Sequence, residues 1–221
     1  MKKHLFAPGC ALFLYKPHLV EKLQEHLELR FGPVELLSAC CHHTPAVPAA
    51  AKVITVCPGC DRRYRENYST PHSISLWELL LQGDGFAFPD YHGRQMTIID
   101  ACPTRDQKRI HDAVRALAAR MNISIVEPAR TREKGTCCGD TFYGALPTGR
   151  VIEQMRIKGN EMPLDDVLVY CVSCSKSMFN AKKRPRYLAD LLFAETTVPG
   201  TTDPDAWHNE LDAFMAAHGG A

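Results

Sequence analysis

The sequence predicts an α/β fold built as two pseudo-symmetric cysteine-rich lobes with largely parallel strands. Three observations carry that expectation. Short apolar runs rich in Val and Ile alternate with stretches of helical spacing. Four of these runs, ending at Cys10, Cys57, Cys102 and Cys171, carry a cysteine just past the strand end. All ten cysteines fall into two copies of one pattern: a lone Cys, an adjacent pair, then Cys-x-x-Cys.

The elements follow in order. Residues 4–7 read as a strand closed by Pro8-Gly9-Cys10. Pro17–Arg30 places Leu19, Leu23, Leu27 and Leu29 at helical spacing. Val53–Val56 is a second buried strand before Cys57-Pro58-Gly59-Cys60, and Ser75–Gln82 a helix. The turn-rich stretch from Gly83 to Gly93 is the expected break between lobes. Met96–Ile99 then repeats the first strand. Asp106–Met121 is a helix on Ile110, Val114, Leu117 and Met121, and Thr148–Lys158 another. Val167–Tyr170 repeats the strand before a Cys-x-x-Cys, and Arg184–Ala194 is read as helical. Residues 196–202 form a linker. Asp203-Pro204 caps a helix with Trp207, Leu211 and Phe214 on one face, placed to pack on the body or to meet a partner. The expected units are thus residues 1–92, 93–195 and 196–221. In parallel α/β sheets the functional crevice lies at the C-terminal strand ends, where these thiols gather. The spacer from Cys41 to Cys57 is much shorter than that from Cys138 to Cys171, so the first lobe lacks most of a helical segment.

Composition excludes several classes of function. A formal net charge of +1 gives no electrostatic support for nucleic-acid binding. No run approaches the roughly 18 consecutive apolar residues of a membrane span, and Met1 to Cys10 lacks the apolar core of a signal peptide. A cytoplasmic location is expected, and there ten thiols point to metal or redox chemistry rather than to disulfides.

The two sets are Cys10, Cys40, Cys41, Cys57 and Cys60, and Cys102, Cys137, Cys138, Cys171 and Cys174. Thiolates select zinc, copper(I) or iron–sulfur clusters. Tetrahedral zinc takes four ligands, commonly in two close pairs, and each set here has five cysteines with one Cys-x-x-Cys. The short-spaced run of a ferredoxin cubane is also missing. Five ligands on three loops suit an open polynuclear cluster; zinc in at least one set, or other thiol chemistry, stays open on spacing alone. His42 and His43 adjoin the first cysteine pair as candidate catalytic residues, proton donors to a departing thiolate, or else as a ligand or loop residues. Asp140, Thr141 and Tyr143 are candidates for hydrogen bonds to sulfur. Lys176, Lys182, Lys183, Arg184 and Arg186 read as a solvated basic face or as an attractor of an acidic carrier or anionic thiol.

The pattern Cys…Cys-Cys-Gly…Cys-x-x-Cys, present twice, resembles the cysteine-rich CCG domain of the heterodisulfide reductases. That domain also occurs in iron–sulfur subunits of glycolate, lactate and anaerobic glycerol-3-phosphate oxidation systems. The likeness covers about residues 1–195 and rests on Ala7-Pro8-Gly9-Cys10, Thr136-Cys137-Cys138-Gly139-Asp140, Tyr170-Cys171-Val172-Ser173-Cys174 and His72-Ser73-Ile74-Ser75-Leu76-Trp77-Glu78-Leu79-Leu80. It implies two noncubane [4Fe-4S] clusters, one on each five-cysteine set, facing each other across a pseudo-two-fold axis with a disulfide substrate between them. It further implies an oxidoreductase that reduces or forms a disulfide, or alternatively an electron-transfer subunit of a flavin dehydrogenase. A zinc-stabilised binding module is the non-catalytic alternative. The chain has no ferredoxin motif or flavin fingerprint, so a ferredoxin-like or flavoprotein partner would supply electrons. In the first set His42 stands where the domain has glycine, leaving zinc possible there.

Overall fold

The computed structural model describes residues 3–38, 45–68, 72–83 and 85–219. Cys40, Cys41, His42 and His43 lie outside them. The fold is α/β, with two four-stranded, all-parallel sheets flanked by helices.

The first sheet contains β1 (His4–Ala7), β2 (Glu35–Leu36), β3 (Lys52–Thr55) and β4 (His72–Ser75), in the order β2-β1-β3-β4. The second contains β5 (Arg94–Ile98), β6 (Ile123–Val126), β7 (Asp166–Val169) and β8 (Arg184–Tyr187), in the order β6-β5-β7-β8. The two orders are identical once the numbering is shifted by four, so the repeat seen in the cysteines is a repeat of topology. In each sheet the order reverses between the two central strands, which makes that position the switch point of a doubly wound sheet.

The helices are α1 (Cys10–Tyr15), α2 (Pro17–Phe31), α3 (Pro58–Asn67), α4 (Leu76–Leu81), α5 (Lys108–Arg120), α6 (Thr148–Asn160), α7 (Val172–Asn180), α8 (Leu188–Leu192) and α9 (Pro204–His218). Helices cover both faces of the first sheet. Phe6 and Ile54 point into the main core with Leu19, Leu23 and Leu27 of α2. Their neighbours Leu5, Ala7 and Val53 face Cys60 and Tyr64 of α3 in a second cluster. This alternation is what a parallel strand buried on both sides requires. Ser75 caps α4 in a capping box with Glu78.

Two expectations need correction. Arg184–Ala194 does not form one helix: residues 184–187 are edge strand β8, and only Leu188–Leu192 is helical. Pro185 is tolerated there because an edge strand has one unpaired side. Nor do the basic residues after Cys174 form, as a group, a solvated face. Lys176 is buried and donates to the carbonyls of Pro199 (2.6 Å) and Thr201 (2.8 Å). Arg184 and Arg186 bond Asp166, and Lys183 pairs with Asp165.

Asp166 starts β7 and also holds Arg94 of β5, so one carboxylate ties three strands together. Against the cost of burial, Arg94, Arg184 and Arg186 pull its carboxyl down to about 2. Its folded value is below its unfolded one, so the stabilisation is present above pH ~4 and lost as pH falls toward 2. Solvent screens this cluster at the sheet edge, so Asp166→Asn is expected to cost only about 1 kcal/mol at pH 7. The difference from the parent should shrink in urea melts between pH 4 and pH 2; a constant difference would show that the ion cluster contributes nothing.

The lobes meet along a seam. Helix α4 packs on α5, α1 on α7, and α3 on the 3-10 turn Cys102–Thr104. Asp190 of α8, fully buried, accepts from Tyr15 Oη (2.5 Å), Lys16 Nζ (2.6 Å) and Thr197 Oγ1 (2.8 Å), joining the N-terminal helices to the second lobe.

Candidate metal centre

Eight of the ten cysteines lie within the described residues, and all eight are free thiols. The folding that brings them together is local and repeated. Cys10 opens α1 directly after β1, and Cys102 opens the 3-10 turn after β5. Cys57 and Cys171 are the residues preceding α3 and α7, so each Cys-x-x-Cys straddles a helix N-terminus. Backbone N–H groups and the positive end of the helix dipole there favour thiolate. In both lobes the lone cysteine and the Cys-x-x-Cys follow the two central strands, at the switch point of the sheet.

The second set assembles fully. Cys102 and Cys138 both donate to Cys137, Cys174 donates to Cys138, and Cys174 also donates to Cys171. Five sulfurs from three loops therefore run as one hydrogen-bonded chain. The thiols of Cys102 and Cys138 are pushed up chiefly by donating to Cys137, that of Cys174 by donating to Cys138 and Cys171, and burial adds to all three. Cys137 is held far below the usual thiol range, first by Cys102 and then by Cys138. Thr141 Oγ1 (2.8 Å) and the backbone N–H of Gly139 (3.3 Å) also donate to it, and Ser177 Oγ donates to Cys138 (3.4 Å). Thr141 thus makes the sulfur contact expected of it. Asp140 and Tyr143 do not reach a sulfur in this way: His208 bonds Asp140 (3.2 Å) and stacks on Tyr143 at 3.8 Å.

Two glycines set the loop paths. Gly9 has φ +92, and a Cβ there would stand 2.7 Å from Cys57 Cβ and 3.2 Å from Cys60 Sγ. The Cys10 loop is therefore pressed against the first Cys-x-x-Cys. Gly139, with φ +111, lies against Met155, and its Cβ would meet the Met155 backbone nitrogen at 2.8 Å. The first set is thus brought together for Cys10, Cys57 and Cys60, while Cys40 and Cys41, with His42 and His43, fall outside the described residues.

Tyr187 stands between the sets. It is fully enclosed, and burial pushes its phenol up, with Cys171 of one set and Cys57 of the other acting in the same direction. Thiols of both lobes therefore lie within electrostatic reach of one side chain.

What covers the second set comes from far along the chain and leaves no mark near the cysteines. The C-terminal helix packs on the body, with Trp207 and Met215 buried. Trp207 Nε1 donates to Ser173 Oγ (3.2 Å) inside the second Cys-x-x-Cys, His208 meets the loop after Cys138, and Phe214 stacks on Phe13 of α1. Lys176, 3.9 Å over the Trp207 ring, is lowered to about 8 by burial while its ammonium clamps the linker. One helix therefore closes over both lobes beside the cysteine loops. On the side of α3 the seam is open: a cavity of about 470 Å³ has Cys102 in its wall with Arg62, Arg65, Arg105, Asp106 and Glu133. A smaller cavity between α2 and residues 83–86 has no cysteine in its wall.

Among the described residues no three His, Cys, Asp or Glu side chains are arranged to hold a single metal ion. None of the helices there is long and apolar enough to cross a membrane. No protein-family profile matches the chain, and no curated protein matches it. Among solved structures it is similar to Picrophilus torridus aspartate racemase at 12% identity and a TM-score of 0.33, over 98% of this chain and 94% of that one.

Proposed function

We propose that this chain is a cytoplasmic iron–sulfur oxidoreductase subunit that reduces or forms a disulfide between two cysteine-held clusters. The observation that carries this reading is the repeat: ten cysteines in two identical patterns, on two sheets of identical strand order, with the lone cysteine and Cys-x-x-Cys of each set at the switch point. Cys10, Cys40, Cys41, Cys57 and Cys60 would hold one cluster; Cys102, Cys137, Cys138, Cys171 and Cys174 would hold the other. The residues present fit such a group, since soft sulfur donors meet in one place with backbone and hydroxyl donors already aimed at them.

When bound, each cluster would supply storage for an electron next to an exchangeable sulfur ligand. The protein's own contribution is orientation and charge. Helices α3 and α7 direct their N-termini at the thiolates, which lowers the cost of gathering negative charge. Thr141 and Gly139 hold Cys137 as an acceptor, and Ser177 does the same for Cys138. Tyr187 fills the space within reach of Cys57 and Cys171 and excludes water from it. Electrons would come from a ferredoxin-like or flavoprotein partner, and His42 and His43 would donate protons to the departing thiolate.

Metal and sulfide analysis of protein purified without oxygen tests the proposal. About eight iron and about eight sulfide per chain are expected, with a brown colour and paramagnetism on reduction. Colourless protein carrying about one zinc per set would refute it.

A further inference from the structure

We propose that the open groove between α3 and residues 102–106 is the substrate site, and that it takes disulfides bearing an α-amino carboxylate, the cystine class. This deepens, and rests on, the disulfide chemistry proposed above. The first observation is access. Cys102 is half-buried and lines the cavity of about 470 Å³, a size within the range of small-molecule sites. Helix α9 closes over the Ser173 and Asp140 loops on its own side of the seam, so the cavity at α3 is the approach the fold leaves to this set of thiols.

The second observation is charge. Most of the groove's ionic groups are already used. Arg65 donates to Asp61 (2.8 Å), Asp106 (3.3 Å) and the carbonyl of Pro103 (3.2 Å), and Arg62 stands 3.8 Å from Glu66. Arg105 and Glu133 remain. Both line this cavity and the adjoining one over α5, and neither side chain has a hydrogen-bond or ion-pair partner among the described residues. An unpaired guanidinium and an unpaired carboxylate on one wall attract a ligand carrying both signs, whereas a ligand of one sign gains at one and is repelled at the other. An α-amino carboxylate attached to sulfur meets all three features: Arg105 for its carboxylate, Glu133 for its ammonium, and the Cys102 position for its sulfur.

In the reductive direction the substrate S–S bond breaks, two electrons arrive from the reduced partner protein, two protons come from solvent, and two thiols leave.

Binding can be read without turnover by using lanthionine, the thioether analogue of cystine. Calorimetric titration of the oxygen-free chain should show lanthionine binding, with thiodipropionate and bis(2-aminoethyl) sulfide at least about tenfold weaker. Arg105→Gln should weaken lanthionine and thiodipropionate about tenfold or more, and Arg105→Lys should restore much of the loss. Glu133→Gln should weaken lanthionine and the diamine but leave thiodipropionate unharmed or improved. Absence of lanthionine binding, or indifference to both substitutions, overturns the proposal, as does thiodipropionate binding as tightly as lanthionine. Both residues are exposed, so folded variants are expected, and circular dichroism with iron content checks each one. Iron and sulfide measured in the same samples judge the cluster reading separately: loaded protein that ignores lanthionine refutes this site alone.

Discussion

Asp190→Ala should lower the stability of the fold by about 3–5 kcal/mol, the range for removing one member of a buried ion pair. The carboxylate is completely enclosed and accepts from Tyr15, Lys16 and Thr197, which come from both ends of the chain. Burial pushes its carboxyl up, and Lys16, Tyr15 and Thr197 offset only part of that cost. The pair is therefore hard to form and harder to break, because alanine leaves the Lys16 ammonium in a half-closed site with Glu195 as its remaining carboxylate. Urea unfolding measures the effect. Lys16→Met should be similarly harmful, and the double variant Lys16→Met/Asp190→Leu should recover part of the loss, since the uncompensated charge is gone. A cost below about 1 kcal/mol for Asp190→Ala would mean the seam does not depend on this pair.

Cys174→Ser is expected to remove about half of the iron and sulfide while leaving the fold in place. Cys174 is buried at the middle of the sulfur chain and touches both Cys138 and Cys171. Serine preserves its volume but is a hard, weakly acidic donor that bonds iron poorly. Cys60→Ser should have the mirror effect in the first lobe, where Cys60 is fully buried against the Gly9 loop. Iron analysis with paramagnetic resonance on each variant separates the two contributions. Unchanged iron in both variants would remove the cysteines from any ligand role, and loss of all iron from either would show that the two sets load as a unit.

Much of this architecture is legible in the residues, and the reason is physical. A strand buried on both faces is a short run of Val, Ile and Leu, so β1, β3, β5 and β7 stand out, and each delivers its cysteine to the same edge. The outer strands leave weaker traces. β2 is two exposed residues, and β8 reads Arg-Pro-Arg-Tyr, with arginines that look solvated until Asp166 is seen beside them. The helical reading of 184–194 followed Leu188, Leu191 and Leu192, which belong to a helix of a single turn and a half. Within the second set the five cysteines were legible as a group, because spacing alone separates them into loops. Their hydrogen-bonding neighbours were legible only where they adjoin a cysteine, as Thr141 does. Ser177, Trp207 and His208 reach the site through tertiary packing that no local pattern encodes.

Helix α9 also gives assembly a direction in time. It lies after both cysteine loops in the chain, yet its Trp207 and His208 are what close over Ser173 and Asp140. During synthesis the loops therefore emerge uncovered, and α9 can seat only after α1 and α6 are folded beneath it. Whatever is delivered to those thiols by another protein meets them most easily in that interval, before the helix shuts the near side of the nest.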